Sequence, residues 1–321
     1  MYRGIAVAGT ALVDEINMIG GYPEIGRLAK IHHVSRSVGG LVPNVGLDIR
    51  HIAPGLPVYA FAKTGRDEKG SFLIDKLREN GVDVSGVSQS ETLGTSFTQV
   101  MSVEGGERTF FTYAGASADF GYRDIDFDNL TAKIFHLGYF LLLDKVDQGD
   151  GVKILKELNA KGIRTSIDLV SSVSGGYEKV VPCLPYVDYL IVNELEAAAL
   201  CGTEDPEDLR GSAERLKALG VRKSVIIHKA EKACYLGEKY AEAASLILPR
   251  ELFRGKTGAG DAFCAGCLTE IYEDAEPERI LETGIRAAAA SIMQANATDG
   301  VKTRSEIYEI TKNFKRRVEE C

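Results

Sequence analysis

One stretch in the last quarter of the chain holds residue types that can do chemistry. In Gly255-Lys256-Thr257-Gly258-Ala259-Gly260-Asp261-Ala262-Phe263, three small residues end on one carboxylate, and an apolar, helix-like run follows. Glycines at 258 and 260 let the backbone come close to a ligand without Cβ obstruction, and a helix beginning near Asp261 points its unpaired N–H groups at the same place. That end of a helix carries partial positive charge, so phosphate oxygens suit it. A carboxylate beside a polyphosphate repels it, which makes Asp261 the informative residue. Chemistry gives a reason for it: a base can take the proton of a substrate hydroxyl while the amides stabilise a moving phosphoryl group. On the loop alone, the alternative is that Asp261 merely caps the helix. Two commoner phosphate motifs are absent: no Gly-x4-Gly-Lys-Ser/Thr occurs, and Phe263 stands where Gly-x-Gly-x-x-Gly needs its third glycine.

The elements that must position this loop read as a doubly wound α/β sheet. Apolar runs near Ile5 to Ala8, Ile134 to Leu137, Arg164 to Asp168, Tyr189 to Val192 and Ser224 to His228 read as buried strands. Between them lie amphipathic segments closed by glycine: Phe72 to Asn80 with Gly81, Val152 to Leu158 with Gly162, and Ser212 to Leu219 with Gly220. This alternation predicts a mainly parallel sheet with helices on both faces. Two segments break it, roughly Ile16 to Ser37 and Thr95 to Tyr113, the second with strand-like runs flanking the turn Glu104-Gly105-Gly106-Glu107. They predict a small inserted second sheet that covers a substrate, a partner subunit, or both.

Bulk properties narrow the function. The 321 residues are 45% hydrophobic and 26% charged, an ordinary globular composition. A net charge of -8, from 46 acidic against 38 basic residues with no Lys/Arg block, argues against nucleic acid and anionic membrane as partners. No run approaches a membrane span, and the apolar stretch Gly4 to Val13 is short for an export signal and ends at Asp14-Glu15. The sparse cysteines fit a reducing cytoplasm. Cys264-Ala-Gly-Cys267 has metal or redox spacing, but Cys264, Cys267, Leu268 and Ile271 share a helical face and no second Cys/His pair completes a zinc set, so they read as small buried side chains.

The sequence Thr257-Gly-Ala-Gly-Asp261-Ala-Phe263 resembles the C-terminal signature of the ribokinase-like (PfkB) carbohydrate kinases. Gly39-Gly40-Leu-Val-Pro-Asn44 resembles the family's N-terminal signature, Gly65-Arg-Asp67-Glu-Lys-Gly70 its Gly-x-Asp-x-x-Gly, and Asn193-Glu-Leu-Glu196 its Asn-x-x-Glu, all in family order and spacing from about Gly4 to about Gly300. The resemblance implies a single kinase domain over residues 1–321, with a Rossmann-like central sheet and a β-sheet lid from about 14–37 and 95–115. It implies Asp261 as catalytic base and Gly258, Ala259 and Gly260 as anion hole. Asp14, Gly39, Gly40 and Asn44 become substrate-binding residues, and Arg108 a lid-side candidate. Thr257, Asn193, Glu196, His228, Lys229 and Arg286 fall on the nucleotide side, with Glu196 organising Mg2+ through water. The implied activity is ATP-dependent phosphorylation of a hydroxyl on a monosaccharide or related polyol. Lid strands in this family often pair into a dimer. Taken singly, Asp14 reads equally as a turn residue, Asn44 as a helix cap, Gly39-Gly40 as a plain turn, and Asn193 with Glu196 as a solvated helix start.

Three positions depart from the family pattern. Gly255 stands where an Asp linked to a monovalent-cation site is usual, which leaves K+ activation open. His228-Lys229-Ala230 replaces a Thr-x-Gly that approaches the nucleotide, and Arg286 stands near a common asparagine. Aromatics in the second predicted sheet (Phe97, Phe110, Phe111, Tyr113) keep a nucleoside kinase open as an alternative, and the departures a non-catalytic sugar or nucleotide sensor.

Overall fold

The computed structural model describes residues 2–103, 108–170, 175–294 and 296–317. The predicted hairpin turn at 104–107 lies outside the described residues. In chain order the strands are β1 (Ile5–Ala8), β2 (Leu12–Ile19), β3 (Ile31–Gly39), β4 (Val58–Gly65), β5 (Asp83–Ser90), β6 (Phe97–Val103), β7 (Arg108–Tyr113), β8 (Ile134–Phe140), β9 (Arg164–Leu169), β10 (Tyr189–Asn193), β11 (Ser224–His228), β12 (Lys232–Leu236) and β13 (Tyr240–Ala244). The helices are α1 (Leu41–Ile52), α2 (Glu68–Glu79), α3 (Gly115–Ala118), α4 (Gly151–Ala160), α5 (Glu194–Cys201), α6 (Leu209–Ala218), α7 (Ala259–Tyr272), α8 (Pro277–Ser291) and α9 (Arg304–Thr311).

The main sheet has nine strands in the order β13-β12-β11-β10-β9-β8-β1-β4-β5. From β11 to β5 every pairing is parallel, and β12 and β13 run antiparallel at one edge. Both faces are covered, and the alternation of side chains divides the core in two. In β1, Ile5 and Val7 pack into the layer that holds α1, α7 and α8, whereas Ala6 and Ala8 pack into the layer that holds α4 and α6. This is why the strands read as unbroken apolar runs. The glycines expected to end helices do so in the left-handed region, with φ of 75° at Gly81, 72° at Gly162 and 117° at Gly220. Among the described residues, no helix is long and apolar enough to cross a membrane.

The two segments that break the alternation form a separate four-stranded sheet, β3-β2-β6-β7. Its strands reach further than the sequence pattern indicated. β2 begins at Leu12 and β3 runs to Gly39, so Asp14 sits inside a strand, opposite Ser37 and Thr98, instead of in a turn. Every residue of β7 is exposed.

The Gly65 to Gly70 motif explains how the two sheets are joined. Asp67 caps α2 by accepting the Gly70 N–H at 2.9 Å, and it also accepts the Thr95 N–H at 2.8 Å and the Thr95 hydroxyl at 2.6 Å. Thr95 in turn accepts the Gly65 N–H at 2.9 Å, so one carboxylate ties the end of β4 to the entrance of β6. A Cβ at Gly65 would meet the Thr95 nitrogen at 2.5 Å, and one at Gly70 would meet the Gly65 carbonyl at 2.4 Å. Asp67→Ala removes a cap and two further bonds, and is expected to cost about 1–2 kcal/mol in urea unfolding. An unchanged midpoint would contradict this joining role.

Candidate active site

The carboxyl ends of the parallel strands β8 to β11 converge on one crevice, on the side of the sheet where doubly wound folds bind ligands. Tyr139 comes from the end of β8, Asp168 from β9, Asn193 from β10 and His228 from β11, and α7 closes the crevice with Gly258, Gly260 and Asp261. The crevice has a volume of about 260 Å3.

Asp261 lies in the first turn of α7 but does not cap it, because the cap position is Gly258 in the left-handed region at φ 80°. The helix therefore begins at Ala259, two residues earlier than the sequence suggested. A Cβ at Gly258 would strike the Ala297 side chain at 2.6 Å, so glycine is required there on two counts. The Asp261 carboxylate is 6% exposed. Its Oδ2 accepts a bond from Asn44 Nδ2 at 2.9 Å, and the Tyr139 hydroxyl donates to Oδ1 at 3.0 Å and Oδ2 at 2.9 Å. Burial raises its pKa to about 7, the charge of Asp168 adds to the rise, and the Asn44 and Tyr139 hydrogen bonds partly oppose it. The carboxyl is thereby poised to exchange a proton near neutral pH.

The N-terminal signature reaches the same point. Gly40 caps α1 with φ 82°, and Asn44 stands inside the helix, facing Asp261. Asn44 Oδ1 is buried with no partner among the described residues, an acceptor free for a ligand hydroxyl. Gly39 packs against Asp14, whose Oδ2 would lie 2.4 Å from a Cβ at that position. Burial lifts the Asp14 pKa to about 6.

The remaining predicted residues divide. Asn193 caps α5, accepting the Glu196 N–H at 2.9 Å while Glu196 Oε2 accepts the Asn193 N–H at 3.1 Å, so this pair is a capping box. Glu196 is nevertheless 5% exposed and lines the crevice, unlike the solvated helix start it could have been. His228 stacks on Phe263 at 4.7 Å and is kept neutral by burial, which lowers its pKa to about 4. It borders a second, more apolar cleft of about 480 Å3, whose walls include Leu246, Phe253, Ala289 and Ile292 and whose rim carries Lys229 and Lys256. The Lys229 ammonium is held by Glu207 at 2.5 Å and Glu231 at 3.6 Å. The Ala259 N–H donates to the Lys256 carbonyl at 3.2 Å, whereas the N–H groups of Gly260 and Asp261 open the helix and have no acceptor within it. Thr257 is exposed at the mouth of the loop. Arg286 turns away from the cleft toward α9: it bonds Glu282 and Thr311 and lies 4.7 Å over the Tyr308 ring. Arg108 is exposed on β7, opposite Ser102.

Two residues escaped sequence reading. Tyr139, which holds both oxygens of Asp261, sits at φ 56°, a backbone region that no sequence pattern marks for tyrosine. Burial, and then the charges of Asp261 and Asp168, keep its phenol well above the usual value, so it remains a donor. Asp48, one helical turn past Asn44, is fully buried, and neither carboxylate oxygen has a partner among the described residues. Burial followed by the nearby Asp261 charge raises its pKa well above the usual range.

A raised carboxyl pKa has a definite effect on stability. Between the unfolded value and about 7 the folded chain keeps a proton on Asp261 that the unfolded chain has lost, so stability falls as pH rises through this window. Asp261→Asn removes that dependence. It should gain on wild type by up to a few kcal/mol between about pH 4 and about pH 7 in thermal unfolding. A difference independent of pH would contradict the burial argument.

Three similarities bear on this geometry. The chain is 26% identical over 275 residues to probable fructokinase-7 of Arabidopsis thaliana, covering 83% of this chain and 78% of that one. It superposes on a ribokinase from Thermotoga maritima with a TM-score of 0.82 and 21% identity, over 97% of this chain and 100% of the other. An Arabidopsis thaliana ribokinase complexed with ribose and ATP gives 0.80 and 20%, over 97% and 99%. The model of the pfkB family carbohydrate kinases matches residues 7–304, so that the chain, in sequence as in fold, belongs to the pfkB family.

Proposed function

We propose that this protein is an ATP-dependent sugar kinase that transfers the γ-phosphate to a hydroxyl of a monosaccharide or related polyol. The observation that carries the reading is the convergence of Asn44, Tyr139 and Asp261 beside the glycine loop. Asp261 acts as general base on the acceptor hydroxyl, and its pKa near 7 suits that task. Asn44 Oδ1, Asp14 and the glycine pair Gly39-Gly40 line the acceptor side. The loop Gly258–Gly260 forms the anion hole, with the Ala259 amide exchanging the Lys256 carbonyl for a phosphate oxygen. The nucleotide base occupies the apolar cleft under Phe253, and Lys256 or Lys229 meets its phosphates. Thr257 and His228 stand at the edge of that path, and the engaged guanidinium of Arg286 contributes only through α8.

Glu196 and Asn193 offer hard oxygen donors beside the glycine loop, a set that fits Mg2+ held through water. When bound, the ion neutralises charge on the transferring phosphoryl group. Gly255 brings no carboxylate for K+, so we expect turnover without an absolute K+ requirement.

The second sheet, about 14–37 and 95–115, is the lid in this reading, with Arg108 on its outer strand. Ile31, Val34 and Phe111 are exposed on its two outer strands, at 45%, 57% and 58%, their strand register puts them on one face, and we assign this face to homodimer pairing in the cytoplasm. Sedimentation should give a dimer that Phe111→Asp converts to monomer; a monomeric wild type would contradict the pairing.

The function is tested by ADP release from Mg-ATP against ketoses, aldoses, sugar acids, polyols and nucleosides, with and without K+. A sugar should stimulate release, and Asp261→Asn should reduce it by roughly 10²–10⁴-fold. Saturable sugar binding without turnover would instead mark a sensor, and a response to nucleosides alone would move the acceptor assignment. In the active wild type, kcat/KM should rise with pH through about 7, because only the carboxylate accepts the proton. Tyr139→Phe removes a bond that favours the carboxylate and should move that rise to higher pH.

A further inference from the structure

Below the base, three side chains meet at one point, of which only Asp168 bears on Asp261, through its charge. His136 on β8, Asp168 at the end of β9 and Cys264 on α7 are all buried, and one potential ligand atom from each lies within 4.8 Å of the others. His136 Nε2 is 3.4 Å from Asp168 Oδ2 and 3.5 Å from Cys264 Sγ. A tetrahedral Zn2+ with bonds of about 2.0–2.3 Å holds its ligands about 3.3–3.6 Å apart, so two edges already have coordination length.

The surroundings favour the same reading. His136 Nδ1 lies 3.0 Å from the Ser166 hydroxyl, which can accept the Nδ1 proton of a ring that ligates through Nε2. Asp168 Oδ1 is occupied by the Tyr139 N–H at 2.7 Å, which turns Oδ2 toward the histidine. A carboxylate oxygen, a ring nitrogen and a sulfur thus converge on one buried point. Asp168 and Cys264 both line the crevice, so a fourth coordination position opens to it. One sulfur, one nitrogen and one carboxylate oxygen suit a borderline-soft ion and disfavour Mg2+. Cys264 follows the glycine loop by one helical turn, and its partners arrive from strands more than 90 residues away, which is why no spacing in the sequence announces the set.

We propose that His136, Asp168 and Cys264 bind one borderline-soft divalent cation, for which Zn2+ is the best fit, at the floor of the crevice. Binding breaks the Cys264 S–H bond, forms a metal–sulfur bond and releases one proton to solvent. The proposal does not depend on the kinase reading, because its readouts are spectroscopic and stoichiometric.

The probe is Co2+ added to the full chain under reducing conditions. The expected result is one equivalent bound, with tetrahedral visible bands and a thiolate-to-cobalt charge-transfer band, displaced by Zn2+ but not by excess Mg2+. Cys264→Ala should abolish the charge-transfer band while Cys267→Ala retains it, with folding of both verified by circular dichroism. Zn2+ added to unbuffered wild type should release one proton per metal, a reading that needs no variant. Absence of the charge-transfer band, its persistence in Cys264→Ala, displacement by Mg2+, or metal uptake without proton release would each overturn the site.

Discussion

A buried carboxylate without a cationic hydrogen-bond partner is the constraint on which this structure turns. Among the described residues, Asp261 is held only by a carboxamide and a phenol, Asn44 from α1 and Tyr139 from β8. Each must be delivered with precision, since an unpaired buried carboxylate is costly. Gly40 starts α1 at a φ that aims Asn44 across to α7, Gly258 starts α7 so that Asp261 falls in its first turn, and the left-handed backbone at Tyr139 turns the phenol inward. Three elements distant in sequence are thereby tied at one carboxyl group. Strained backbone of this kind persists only where the surroundings fix it, and functional sites are where it collects.

The electrostatics have the same origin. Asp48, Asp168 and Glu196 surround Asp261, and two of them raise its pKa directly, Asp168 more than Glu196. Asp48, buried with both oxygens unpartnered, is itself pushed toward its neutral form. Such a cluster is costly for stability and useful for proton transfer, the usual exchange at an active site. It also sets a condition on any phosphate donor: the approach of a polyphosphate to four carboxyl groups calls for helix N–H groups and cations to offset the repulsion. The glycine loop supplies the first, and the Mg2+ reading supplies the second.

Much of this was legible in the sequence because local rules sufficed. Gly81, Gly162 and Gly220 end helices where glycine can take positive φ, and the apolar runs became buried parallel strands. The glycine loop, Asn44 and Asp261 were visible as residue types in order. What local rules could not reach was set by tertiary approach. Asp14 became a strand residue because β2 pairs with β3 and β6 beyond its apolar stretch, and Arg286 found Glu282, Thr311 and Tyr308 on and beyond its own helix. Tyr139 owes its role to a backbone angle, and Cys264 its neighbours to two strands that lie far away in sequence.

The central claim is that convergence of Asn44 and Tyr139 on a buried Asp261 holds that carboxyl poised near neutral pH. Titration of the 13C-labelled aspartate carboxyl groups by NMR, with Asp261→Asn for assignment, tests it without any substrate. The account predicts one aspartate resonance with a pKa of about 7 that is missing from the variant. An Asp261 resonance titrating in the ordinary carboxylate range, about 4, would contradict it.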